Sequence, residues 1–139
     1  MFSQPKMKLL AALAMSTLAT VACYGQTIPP QTVTPTVVPG KQSQVGFLYA
    51  LEPDCSTRGQ GDTRLIKKPE HGSVEIAQGS SFPHYPENSQ WFHCNKVKVP
   101  GTLLMYKSEE GYTGKDHFDV EFIGPRGADL ITRYVVTVK

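Results

Sequence analysis

His117–Ile123 (HFDVEFI), Gly124–Gly127 (GPRG) and Ile131–Val138 (ITRYVVTV) decide the class of fold. In the first run Phe118, Val120 and Phe122 share one face, and His117, Asp119 and Glu121 share the other. That two-residue period belongs to a half-buried strand. The last run is β-branched and sets Tyr134, Val136 and Val138 against Arg133, Val135 and Thr137. Gly-Pro-Arg-Gly between them supplies turn chemistry, so the C-terminal segment reads as two strands and a turn.

Upstream the same pattern repeats. Val45–Leu51 (VGFLYAL) is an apolar run, and Thr63–Lys67 and Ser73–Ala77 flank the turn Pro69-Glu70-His71-Gly72. Lys96–Val99 and Thr102–Tyr106 flank Pro100-Gly101, which predicts a turn between two strands. Beyond the N-terminal segment no helical period exceeds two turns. Short strands at this spacing predict an all-β sandwich over 45–139.

Pro69-Glu70-His71-Gly72-Ser73-Val74, then Tyr106, then Gly111-Tyr112-Thr113-Gly114-Lys115-Asp116-His117-Phe118 form a P-x-x-G-x-V … G-Y-x-G-x-D-x-F pattern. It resembles the cadherin-like, immunoglobulin-like repeats of bacterial surface proteins, over about Lys68 to Lys139. The resemblance implies an immunoglobulin-like (cadherin-like) β-sandwich. Ser108 stands where those repeats usually carry proline, and the chain holds one copy where large adhesins carry arrays. The motif residues Gly72, Gly111, Tyr112, Gly114, Asp116 and Phe118 have structural roles. The glycines permit tight turns, Tyr112 ties its hydroxyl to backbone, Asp116 accepts from loop N–H groups, and Phe118 enters the core.

The N-terminus reads as an address. Met1–Lys8 is positive, and Leu9–Ala22 is a 14-residue apolar run without charge. That is short of the roughly 20 residues a membrane span needs. Residues 1–25 are therefore expected to be a secretory signal peptide. Small residues at Cys23 and Gly25 suit cleavage before Gln26. Alternatively Thr20-Val21-Ala22-Cys23 resembles a lipobox, with Thr20 in place of the usual Leu, and Cys23 would then be lipidated. Residues 26–44, rich in Pro and Thr, fit either an extended linker or an edge strand formed by Val33–Val38.

The whole chain carries 14 basic and 12 acidic residues, but Lys6 and Lys8 lie in the address, leaving 12 against 12. A neutral domain gives no footprint for nucleic acid or an anionic membrane. With Cys23 assigned to the address, Cys55 and Cys94 remain, and in an exported protein they are expected to form one disulfide.

No catalytic or cofactor-binding motif is present. Asp116, Asp119 and Glu121 alternate along a strand and do not converge as calcium ligands would, and Asp54 and Asp62 lack an EF-hand-like run. Ser80–Asn95 (SSFPHYPENSQWFHCN) is the segment richest in candidate contacts, with Phe82, His84, Tyr85, Trp91, Phe92 and His93. Its aromatics could stack on sugar rings or anchor a protein, or could simply pack against the disulfide and close the core. The expected function is a non-catalytic binding or structural module, periplasmic or secreted, whose partner is an envelope protein or glycan. A periplasmic copper- or zinc-handling protein using His84 and His93 is the alternative, and an envelope enzyme a more distant one.

Overall fold

The computed structural model describes Pro30–Lys139, so the expected signal peptide and Cys23 lie outside the described residues. The elements are β1 (Gln31–Val33), β2 (Thr36–Val37), β3 (Ser43–Leu48), β4 (Asp62–Lys67), β5 (Gly72–Ser81), β6 (Val99–Ser108), β7 (Gly114–Ile123) and β8 (Asp129–Val138). Among the described residues a single 3-10 turn, Phe92–Lys96, interrupts the all-β pattern. One sheet runs β1–β8–β7–β4, with β2 also on β8, and the second runs β3–β6–β5.

The alternation in the last two strands builds the inner face of the first sheet. β7 and β8 pair antiparallel from Gly114↔Val138 to Ile123↔Asp129. This register points Phe118, Val120, Tyr134, Val136 and Val138 into the core, where Val45, Leu104 and Tyr106 of the second sheet meet them. Phe118 lies parallel to Tyr134 at 4.8 Å and to Tyr106 at 6.1 Å between ring centroids. Each fully buried apolar side chain of this size contributes about 1.5–3 kcal/mol relative to exposure. Burial pushes the Tyr134 hydroxyl up to about 12. Gly46, at an irregularity of β3, makes room for that ring, because a Cβ there would sit 2.5 Å from Tyr134 Oη.

Within the described part of the proline-rich stretch, Gln31–Val33 and Thr36–Val37 form an edge strand in two pieces. β1 and β2 both run parallel to β8, with Gln31↔Thr132 and Thr36↔Thr137 in register. Pro35 separates the pieces, yet its carbonyl still accepts from Thr137 N–H at 2.9 Å. Proline is tolerated here because the outer side of the strand has no ladder to lose.

The expected turn at Pro100-Gly101 is absent. β6 passes straight through both residues, and Ser80↔Pro100 and Gly79↔Gly101 are register pairs with β5. Pro100 lies past the last β3 pair, Leu48↔Thr102, so β6 is flanked there by β5 alone. Gly101 serves close approach, since a Cβ would meet the Leu48 carbonyl at 2.5 Å and the Phe47 ring at 2.6 Å. Lys96 falls in the 3-10 turn and Val97 and Lys98 lie outside any strand, so Val99 alone of the expected Lys96–Val99 strand is β.

The two motifs of the C-terminal half are bonded to each other. Asp116, 2% exposed, accepts from Glu70 N–H at 2.9 Å, His71 N–H at 3.0 Å, His117 N–H at 2.9 Å and the Tyr106 hydroxyl at 2.8 Å. Burial pushes its carboxyl up, but these four bonds outweigh burial and hold it below the usual carboxylate range. The Pro69–Gly72 turn, which carries the chain from β4 in one sheet to β5 in the other, is thereby tied to the start of β7. Tyr112 stacks on His71 at 4.1 Å and donates its hydroxyl to Lys115 O at 2.7 Å. Gly111 and Gly114 take φ of 75° and 134°, angles that favour glycine.

Candidate functional site

Cys55 and Cys94 form a disulfide across a separation of 39 residues, with Cα atoms 5.5 Å apart. It joins the β3–β4 connection to the β5–β6 connection at one end of the molecule. Around it a second small core gathers Leu51, Cys94 and Val99, with Phe47, Tyr49, Tyr85 and Trp91 packed against them. Only Leu51, Cys94 and Val99 are fully buried in this second core, so a covalent tie stabilises this end where the main core does not reach.

The aromatic segment is held in place from several sides. Asn95 brackets Tyr85, accepting from its N–H and donating to its carbonyl, both at 2.9 Å. Tyr49 accepts the His84 N–H at 3.0 Å, and burial pushes its own hydroxyl up. Tyr85 stands edge-on to Tyr49 at 5.4 Å and stacks with Trp91 at 5.8 Å. Trp91 is half-buried: it packs against the disulfide and also lines an open cleft. Phe82 and Phe92 remain 42% and 41% exposed, and Lys98 Nζ lies 5.7 Å from the Phe82 ring centre.

His84 and His93 have different neighbours. The His93 ring lies 3.0 Å from Pro53 O and 3.7 Å from Cys94 Sγ. Among the described residues the one group of three metal-ligating types is Cys55, His93 and Cys94, without His84. With both sulfurs in a disulfide the thiolates that hold zinc or copper do not exist, and His93 offers a single nitrogen.

The cleft has a volume of about 320 Å³ and is walled by Tyr49, Leu51, Tyr85, Trp91, Phe122 and Leu130. Arg58 and Arg126 are the charged residues of its lining. Arg58 is set by a short hairpin-like return in which its N–H donates to Ala50 O and Leu51 bridges Thr57. Arg126 comes from the β7–β8 turn, where Gly127 takes a φ of 81°. Both guanidiniums lie on one carboxylate oxygen, Glu52 Oε1, at 3.2 Å from Arg58 Nε and 2.6 Å from Arg126 Nη2. Three buried side-chain polar atoms among the described residues lack a hydrogen-bond partner, and two of them, Arg58 Nε and Trp91 Nε1, belong to cleft residues. The 3.2 Å approach of Arg58 Nε to Glu52 is thus an ion pair without hydrogen-bond alignment.

Other depressions have less to offer chemically. One of about 200 Å³ between Leu48, Gly61 and Thr102 carries no charged side chain. A wider groove of about 510 Å³ beside β1 and β3 has His84 as its one titratable group besides tyrosines.

Of the residues singled out in the sequence, Tyr85 and Trp91 reach the cleft. Phe82, His84, Phe92 and His93 are not in its lining. Tyr49, Glu52, Arg58 and Arg126 were not legible as site residues: Tyr49 and Arg126 come from segments read as strand and turn, and Glu52 and Arg58 from a stretch to which no element was assigned. The available signal was the placement of Arg126 inside a Gly-Pro-Arg-Gly turn, where a long cation has no local packing role. No family model, curated protein or solved structure matches this chain.

Proposed function

We propose that this is an exported, non-catalytic binding module of the bacterial envelope, periplasmic or secreted, with an immunoglobulin-like fold of the cadherin-like kind. Strand order supports the fold. β3–β6–β5 in one sheet and β4–β7–β8 in the other match strands B-E-D and C-F-G of the immunoglobulin arrangement. The first strand pairs on the last, and Tyr112 occupies the corner before the F-equivalent strand β7. Its hydroxyl bonds three residues downstream, whereas the tyrosine corner of immunoglobulin domains reaches upstream.

One observation carries the binding role: three packed rings, Tyr49, Tyr85 and Trp91, line an open cleft at the disulfide-tied end of a rigid scaffold. Loops on a rigid sheet scaffold are the usual seat of recognition. Exposed Phe82 and Phe92 extend the apolar surface of the same segment, suiting contact with a larger partner, protein or glycan. Retention of the purified protein on isolated envelope material tests this. The wild type is expected to be retained, and Phe82→Ser with Phe92→Ser is expected to reduce retention while unfolding stays unchanged. A wild type that passes through freely refutes the binding role, and equal retention of the variant refutes the part given to the two phenylalanines.

A further inference from the structure

We infer that the cleft takes a carboxylated sugar ring, an acidic residue of a polysaccharide, an inference that rests on the binding role proposed above. The charge count points to an anion. Two guanidiniums, Arg58 and Arg126, share the single carboxylate of Glu52, so one positive charge at the rim is uncompensated by this local group. The domain outside the N-terminal address is neutral at 12 basic against 12 acidic residues, so attraction of an anion is local to this site and not a property of the whole surface. Guanidinium is also the group best shaped for a carboxylate, which it can engage with two parallel N–H donors.

The walls point to a ring. Tyr49, Tyr85 and Trp91 supply aromatic surface whose electron-rich faces accept the weakly positive C–H groups of a pyranose. The volume of about 320 Å³ falls at the small end of ligand sites, suited to one ring and not to a folded peptide segment. Arg58 Nε and Trp91 Nε1, both in residues that line the cleft, are buried donors without acceptors, so a ligand whose hydroxyls or carboxylate reached them as the two side chains shift would satisfy both. A neutral sugar would meet the walls and leave the cation unanswered. An acidic peptide would answer the cation and leave the aromatic walls unfilled.

Trp91 is the sole tryptophan of the chain, so its emission reports on the cleft directly. The purified protein is titrated at physiological salt with tetragalacturonate, maltotetraose and tetraglutamate. Saturable change of Trp91 emission is expected with tetragalacturonate alone. Arg126→Gln and Arg58→Gln are each expected to weaken it at least about tenfold, the loss of one charge-assisted contact. Arg126 is 69% exposed, so its variant is expected to stay folded even where Arg58→Gln does not. Equal response to maltotetraose overturns the acidic specificity. Response to tetraglutamate alone overturns the sugar and makes the occupant a peptide. Unchanged affinity in Arg126→Gln overturns the assigned pairing. No response to any probe overturns the inference, while retention on envelope material decides the binding role separately.

Discussion

Replacing Asp116 by Asn keeps the size of the side chain and removes its charge. Oδ1 accepts from Glu70 and His117 N–H, and Oδ2 accepts from His71 N–H and the Tyr106 hydroxyl. An amide NH2 in place of Oδ1 faces two backbone donors that cannot turn. In place of Oδ2 it faces one such donor, His71, while the Tyr106 hydroxyl can rotate to accept. The cheaper orientation therefore still loses one bond to a charged acceptor and the charge assistance on the others. Bonds to charged groups are worth about 1.5–3 kcal/mol against about 1 for neutral ones. Relief of the buried charge offsets part of this, leaving an expected loss of about 2–3 kcal/mol. Guanidinium unfolding followed by Trp91 emission measures it. The dependence on pH adds a second reading. The folded carboxyl lies below its ordinary value, so its stabilisation is complete above the ordinary aspartate pKa and is lost as pH falls through the lower folded value. The gap between wild type and variant should therefore close in strong acid. Asp119, held low chiefly by its bond from Arg133, retains an acid slope in both proteins. A loss under about 0.5 kcal/mol, typical of indifferent surface changes, or a gap independent of pH, refutes Asp116 as the tie between the two turns.

Reduction of Cys55–Cys94 should lower stability by about 4 kcal/mol in the chain-entropy model for its 39-residue separation. Acrylamide quenching of Trp91 should rise at the same time, and unchanged quenching would mean that the disulfide does not hold the cleft. Gly46→Ala should cost about 2 kcal/mol or more, because its Cβ collides with Tyr134 and Leu104 in the core. Gly111→Ala, with open space around it and only φ against it, should cost about 1 kcal/mol, so a reversed order in denaturant midpoints contradicts the packing. At high pH the folded Tyr134 hydroxyl resists ionisation to about 12, so stability should fall as pH rises past the ordinary tyrosine value of about 10. Tyrosinate absorbance should show this late group, and Tyr134→Phe should abolish its share of the alkaline loss.

Much of the sheet structure was readable from alternation. β7 and β8 each bury one face against a common core, which writes a two-residue period into His117–Ile123 and Ile131–Val138. The Pro100-Gly101 break was misleading because both residues act through neighbours far away in sequence. Pro100 is spared a lost ladder bond by the early end of β3, and Gly101 yields space to Phe47. Neither circumstance leaves a local mark. The site divides the same way. Tyr85 and Trp91 were visible as aromatics in an irregular segment, whereas Arg126 meets Glu52 only through the fold, from 74 residues away.

Because β1 and β2 run parallel to β8, the first and last strands leave the sheet at opposite ends. Tension applied between the two termini then acts along the strands and loads their shared bonds together, in shear. An antiparallel terminal pair would instead open one bond at a time. Resistance to pulling is thus set by how fast the whole β1–β2–β8 seam slides, a rate and not an equilibrium. Pulled by β1 and β8 in opposite directions, the domain would therefore outlast brief loads that would unzip an antiparallel pair of the same length.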